Sequence, residues 1–250
     1  FQALDLNKGK GILYLISTPI GNLSDMTHRA ISTLKDVPLV AAEDTRHSKK
    51  LFLQYEIETP LISYFEHNHS LRMPKLIKHM EEGKDLGLIT DAGTPGISDP
   101  AYRIVREAIK SSINVISIPG ASAVLTALVS SGLPTDRFLF EGFLPPKKGR
   151  EKRIESVKDI NVTLVYYESP HRIGRALKQF YEILGNRPVV IARELTKLHE
   201  QIYKGTISGA FEFFESPRGE FVLIIEGNKD YPMLSGVDTD DIKESMKQAK

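Results

Sequence analysis

Short apolar runs of strand length recur along the chain, and each closes on a cluster of glycine, proline or paired polar residues. Gly11-Ile12-Leu13-Tyr14-Leu15-Ile16 ends in Ser17-Thr18-Pro19-Ile20-Gly21-Asn22, and Pro38-Leu39-Val40-Ala41-Ala42 ends in Glu43-Asp44-Thr45-Arg46-His47. Leu86-Gly87-Leu88-Ile89 leads into the loop 90–100, and Asn114-Val115-Ile116-Ser117-Ile118 into Pro119-Gly120-Ala121-Ser122-Ala123. Runs apolar throughout are what a strand buried on both faces requires, and helical patterns separate them. This alternation specifies an α/β fold with a parallel sheet, whose ligands belong at the carboxyl ends of the strands. The loop 90–100 is more elaborate than a connection needs. Asp99 and Pro100 serve the following helix as cap and first residue, but Asp91-Ala92-Gly93-Thr94-Pro95-Gly96 has no such duty and reads as a ligand loop.

Between these strands, helices are expected over 27–34 (capped by Ser24 or Asp25), 51–55, 71–80, 101–110 and from 123 to about 130. Ser131-Gly132-Leu133-Pro134-Thr135-Asp136 is the best hinge, placing an N-terminal α/β domain at 1–132 and a C-terminal α/β domain at 133–230. The second domain opens with a strand at 138–144 and a basic loop, 145–153, that runs into a short helix. A buried strand at 162–167 ends in Glu168-Ser169-Pro170-His171-Arg172, a helix covers 173–184, and a strand at 188–192 ends in Arg193-Glu194-Leu195-Thr196-Lys197. The runs 199–204 and 220–226 are expected to pair as antiparallel strands, and 231–250 to form a polar tail or terminal helix.

Composition narrows the function classes. Lys and Arg number 33 against 32 Asp and Glu, a net charge of +1, so nucleic-acid binding requires a local basic patch. The chain has no cysteine, which excludes disulfides, thiolate metal sites and a cysteine nucleophile, and suits a cytoplasmic protein. No apolar run reaches membrane-spanning length, and the first ten residues lack a signal-peptide core, so no membrane partner is expected. No glycine-rich loop ends in Gly-Lys-Ser/Thr, no Gly-x-Gly-x-x-Gly follows the first strand, and no Gly-x-Ser-x-Gly elbow occurs. His67 and His69 near Glu66 lack a third ligand at metal-site spacing, and no metal is expected. Polar strand ends on two α/β halves remain. A cleft between such halves suits a small uncharged or zwitterionic cofactor held against a polar substrate.

Five segments in order resemble the tetrapyrrole-methylase superfold, the class III S-adenosylmethionine methyltransferases, and within it the branch acting on ribosomal RNA. They are Ser17-Thr18-Pro19-Ile20-Gly21-Asn22-Leu23, Glu43-Asp44-Thr45-Arg46, Asp91 through Pro100, Pro119-Gly120-Ala121-Ser122-Ala123 and Tyr167-Glu168-Ser169-Pro170-His171-Arg172. The resemblance runs from about 11 to 228. It implies two α/β domains with S-adenosylmethionine in the cleft between them, a homodimer, and 2′-O-methylation of a cytidine ribose in 16S rRNA of the small ribosomal subunit. Carried over residue by residue, the donor site comprises Pro19, Ile20, Asp91, Gly93, Thr94, Ile97, Ser122, Ala123, Tyr167 and Glu168. Thr94 stands where the tetrapyrrole enzymes have aspartate, which makes Asp91 a substitute for that contact. The first turn, Ser17-Thr18-Pro19-Ile20-Gly21, departs from their Gly-x-Gly-Pro-Gly and argues against a porphyrin substrate.

Methyl transfer to a hydroxyl needs alignment and a proton acceptor. Glu43, Asp44, Glu168 and His171 are the candidates, with Arg46 and Arg172 as partners for phosphate or carboxylate. Each also has a structural explanation as a strand-end ion pair or helix cap, so the group rather than one member is the candidate. Lys147, Lys148 and Arg150, with Lys152 and Arg153 beside Phe143, form the expected RNA patch, and Arg46, Lys49 and Lys50 add charge elsewhere. A class III methylase acting on a tetrapyrrole or a modified protein histidine, and a non-catalytic RNA-binding protein of the same fold, remain as alternatives.

Overall fold

The computed structural model describes residues 9–213 and 218–229; the expected tail at 231–250 lies outside the described residues. Contacts divide the chain into two units, Phe1–Thr126 with Glu194–Glu200, and Ala127–Arg193 with Gln201–Lys250. The division crosses a helix shortly before the expected hinge, and a short segment late in the chain groups with the first unit.

The first unit runs β1 (Ile12–Ile16), α1 (His28–Asp36), β2 (Val40–Ala42), α2 (Thr45–Gln54), β3 (Leu61–Ser63), α3 (His69–Glu81), β4 (Leu86–Ile89), α4 (Ala101–Lys110) and β5 (Asn114–Ile118), with α5 (Ala123–Ser131) crossing into the second. The sheet order is β3-β2-β4-β1-β5, and every pairing is parallel. Side chains alternate between its faces. Leu13, Ala41, Leu86 and Leu88 pack with Leu76, Met80, Ile104 and Ala108 of α3 and α4. Ile16, Val40, Ala42 and Ile89 pack with Ala30, Leu34, Leu51 and Phe52 of α1 and α2. Gly87 interrupts β4 because a Cβ there would meet Val40 Cγ2 at 3.0 Å. A parallel sheet aligns all its carboxyl ends on one edge, so the four polar strand ends read from the sequence share that edge.

Two local expectations change. Asp44 caps α2, its side chain accepting from the Arg46 amide, so the helix starts at Thr45 rather than 51. Thr27, not Ser24 or Asp25, caps α1 by accepting from the Ala30 amide; Leu23–Asp25 form a separate 3-10 turn capped by Asn22.

The second unit runs β6 (Phe138–Phe143), α6 (Arg150–Glu155), β7 (Thr163–Glu168), α7 (Ile173–Leu184), β8 (Pro188–Arg193), β9 (Gln201–Thr206), α8 (Ile207–Phe213) and β10 (Phe221–Ile225). Its sheet order is β6-β7-β10-β8-β9, with β6 and β7 parallel and the other pairings antiparallel. The expected pairing of 199–204 with 220–226 is therefore wrong. β10, buried at every position, fills the centre between β7 and β8, while β9, largely exposed, takes the edge beside β8. Helix α8, which the sequence pattern did not announce, joins α7 on one sheet face through Ile207 and Ala210. Among the described residues no helix is long and apolar enough to cross a membrane.

Candidate functional site

The loops after β1, β4 and β5 are tied to one another through backbone and hydroxyls. Thr18 and Gly93 exchange both amide bonds, the Thr18 amide donating to Gly93 O at 2.9 Å and the Gly93 amide to Thr18 O at 3.1 Å. The Thr18 hydroxyl donates to Thr90 O at 3.2 Å. Ser17 Oγ donates to Thr94 Oγ1 at 3.1 Å, and Thr94 Oγ1 donates on to Ala121 O at 3.2 Å. Gly93, at φ +82°, lies where a Cβ would press within 3.3 Å of Ile20 Cγ2, and a Cβ on Gly120 would meet Ser17 at 2.8 Å. The three loops thus form one rigid rim. Thr94, expected at the donor site, spends its hydroxyl on that rim. Ala92 and Ile97 are exposed, and Ser122 and Ala123 are partly so.

Carboxylates from β2 and β4 meet beside the rim. The Asp91 amide donates to Glu43 Oε2 at 3.4 Å, and the Asp44 amide donates to Asp91 Oδ1 at 3.0 Å. Glu43 is half-buried, and burial pushes its carboxyl above the usual range; the charges of Asp91, Asp99 and Asp44 add to this against the opposing Asp91 amide. Asp99, also raised by burial, accepts from the Gly96 and Ala101 amides at 2.8 and 2.7 Å. Glu43, Asp99, Thr90 and Tyr64 line a cavity of about 10 Å³, room for about one water. The Tyr64 hydroxyl is buried without a hydrogen-bond partner among the described residues, and burial pushes its pKa up to about 12.

Asp44 behaves oppositely. Its side chain is bound by Arg46, whose Nη2 lies 2.8 Å from Oδ2, and that hydrogen bond holds the carboxyl down at about 2. Its cap and its exposed ion pair account for Asp44, and they make it a poor base. Arg46 itself is exposed.

In the second unit the strand end of β7 is a saturated charge network. Glu168 Oε2 lies 3.0 Å from Arg150 Nη2 and Oε1 lies 2.8 Å from Arg172 Nε, with the Ser169 amide also donating to Oε1 at 2.8 Å. Arg150 Nε donates to Gln179 Oε1 at 2.5 Å. The Arg150 and Glu168 side chains are each 1% exposed. Two expectations need correction here. Arg150 is not part of a surface RNA patch, because it is buried as the counter-ion of Glu168. The Glu168 carboxylate is not an available base, because both its oxygens are occupied and its side chain is away from solvent. Arg172 also donates to Leu144 O at 3.3 Å and lies over the Phe143 ring. Tyr167 is half-buried, packed against Phe140 and Phe143. His171, Lys147 and Lys148 are exposed.

Sequence reasoning reads Arg193 to Lys197 as a strand end of the second domain, whereas Glu194–Glu200 groups with the first unit. A Cβ on Gly21 would lie 2.4 Å from Lys197 Cγ and 2.9 Å from Thr196 Oγ1, so this segment lies directly against the β1 loop. Glu194 and Thr196 hold φ of +52° and +67°, a strain that non-glycine residues keep only where surrounding structure imposes it. A charged residue and a β-branched one carry no local signal for that conformation. Tyr64 and Gln179 were likewise silent in sequence.

The rim offers small residues and backbone polar groups (Gly93, Gly120, Ala121, Ser122) beside apolar Ile20 and Ile97, with Glu43 and Asp91 adjoining. Carboxylates beside bare backbone suit a cationic, amine-bearing donor. Residues 12–210 match the model of the Tetrapyrrole (Corrin/Porphyrin) Methylases, and the chain belongs to that family of S-adenosylmethionine-dependent methyltransferases. Solved structures agree on the fold: uroporphyrin-III-C-methyltransferase from Thermus thermophilus superposes with a TM-score of 0.61 at 17% identity, over 87% of this chain and 94% of that one. Diphthine synthase superposes with a TM-score of 0.67 at 12% identity, over 87% and 90%.

Within the family the chain falls among the ribosomal RNA small subunit methyltransferase I proteins. It is 50% identical over 230 residues to that protein from Halalkalibacterium halodurans, covering 91% of this chain and 80% of the relative. It is 42% identical over 221 residues to the Thermotoga maritima protein, covering 88% of this chain and all of the relative.

Proposed function

We propose that the chain transfers the methyl group of S-adenosylmethionine to the ribose 2′-hydroxyl of a cytidine in 16S rRNA of the small ribosomal subunit, acting as a cytoplasmic homodimer. The observation that carries the reading is the 42–50% identity, over most of the chain, to proteins named for methylation of that RNA. Pro19, Ile20, Gly93, Ile97, Ser122 and Ala123 hold the donor in this account, with Asp91 facing its cationic groups. The bound donor supplies a sulfonium methyl, which needs no further activation. The chain's own residues then have two tasks. The rim holds the acceptor and methyl in line, which supplies much of the rate. Glu43 accepts the hydroxyl proton, a task suited to a carboxylate whose pKa lies above the ordinary range. Asp91 is a positioning residue, its backbone bonded to Glu43 and its side chain to the next residue, Asp44. His171 is the remaining acceptor candidate, exposed at the β7 end.

The test is tritium transfer from labelled donor into purified small subunits, followed by alkaline hydrolysis. A 2′-O-methyl group blocks cleavage, so label in an alkali-resistant dinucleotide containing cytidine is the expected result. Label in free cytidine nucleotide, or only in a tetrapyrrole or protein acceptor offered alongside, overturns it.

A further inference from the structure

The basic loop that closes β6 folds back to make a surface cavity of about 270 Å³ lined by Lys147, Lys148, Gly149, Arg150, Glu151, Lys152 and Gln179. Three of these are exposed lysines. Buried Arg150 in the lining and partly exposed Arg172 share the one carboxylate of Glu168, so the three groups carry one positive charge in excess. Burial destabilises the charged Arg150 guanidinium, Glu168 opposes this, and repulsion from Arg172 and Arg175 adds to it. Arg150 Nη1 is buried and has no hydrogen-bond partner among the described residues. Glu151 is the single carboxylate in the lining, and it accepts from Gln179 Nε2 at 3.2 Å. Arg153, next along, is paired with Glu141 and lies outside the lining.

We propose that this cavity seats a phosphate of the RNA acceptor, gripped by Lys147, Lys148 and Lys152, with the Arg150 guanidinium in its wall. The inference rests on the RNA reading above and adds where the polymer is held. Three lysines with one tethered carboxylate attract an anion, and lysine grips phosphate as a point charge without demanding a base. The lining offers no aromatic or apolar side chain to hold a base or sugar, so it suits the phosphate of a chain whose other parts lie across the surface. Arg150 is a positioning residue here: it links the cavity wall to Glu168 at the end of β7, beside Tyr167.

The experiment compares wild type with Lys147→Gln/Lys148→Gln/Lys152→Gln, all at exposed positions. Binding of a fluorescent single-stranded RNA is measured across a salt series, and S-adenosylmethionine binding by calorimetry serves as the folding control. Each phosphate that a lysine neutralises adds roughly 0.7 to the slope of log K against log salt. A variant slope shallower by about 0.7 for each lysine engaged, with donor binding retained, supports the proposal. An unchanged slope overturns it; if wild type still labels small subunits, the functional reading survives that failure. Pyrophosphate supplies the second arm. If it binds wild type but not the variant while the RNA slope is unchanged, the cavity takes a free phosphate compound and the RNA assignment falls.

Discussion

The strand ends of the two units are polar in different ways, and in the proposed function that difference separates chemistry from anchoring. At the edge of the first sheet, Thr18, Thr90, Thr94, Gly93 and Ala121 are bonded through backbone and hydroxyls. Glu43 and Asp91 stay half-buried there, bonded to backbone amides rather than to cations. At the end of β7 every oxygen of Glu168 is matched by a guanidinium or an amide. A half-buried carboxylate among other carboxylates holds a proton more tightly than a free one. One whose two oxygens are already taken by guanidiniums and an amide has none left for an acceptor hydroxyl. Sequence position alone makes these two glutamates equal candidates, and only the partners distinguish them.

The sharpest break of this comparison is Glu43→Gln. It should lower the methyl-transfer rate by about 10²–10⁴-fold while leaving donor affinity close to wild type, as expected for loss of a general base. The same change should raise thermal stability slightly at neutral pH. Because folding raises the Glu43 pKa, the native state holds its proton more tightly than the unfolded chain, and the penalty for ionising it grows as pH rises through that window. On the other side, Arg150→Ala strips buried Glu168 Oε2 of its guanidinium and leaves Arg172 as the remaining one. Chemical denaturation should show a loss of about 3–5 kcal/mol, the scale for breaking a buried ion pair. If Arg150→Ala unfolds at the wild-type denaturant midpoint, the second network is not an anchor. Gly93→Ala forces a Cβ into φ +82° against Ile20, and should cost more than about 1 kcal/mol along with a weakened donor affinity. Thr94→Val removes the bridge from Ser17 to Ala121 and should cost about 1 kcal/mol in the same denaturation assay.

Much of the first unit is legible in sequence because its physics is local. Apolar runs such as Leu13 to Ile16 and Leu86 to Ile89 need burial on both sides, and the Gly- and Pro-rich ends mark where they stop. The second sheet carries a signal that simple pairing of neighbouring runs overlooks. Phe221-Val222-Leu223-Ile224-Ile225 is apolar at every position, which demands a central strand, whereas Gln201-Ile202-Tyr203-Lys204 carries polar positions suited to an edge. Arg150 is hidden in a charge run, although Ile154 and Val157 lie at helical spacing from it on the buried side. The Glu43–Asp91 contact joins residues from two strands and has no local trace, nor has the left-handed backbone of Thr196.

The separation of chemistry from anchoring rests on Glu43 being the proton acceptor. The most direct measurement is the single-turnover methyl-transfer rate as a function of pH, in wild type and in Glu43→Gln, at saturating donor. The account predicts a wild-type rate that climbs with pH through a carboxylate pKa above the ordinary glutamate range and then levels, because only the ionised form accepts a proton. The variant should show a low rate without that step. A Glu43→Gln protein with the wild-type rate and the same pH step would contradict it.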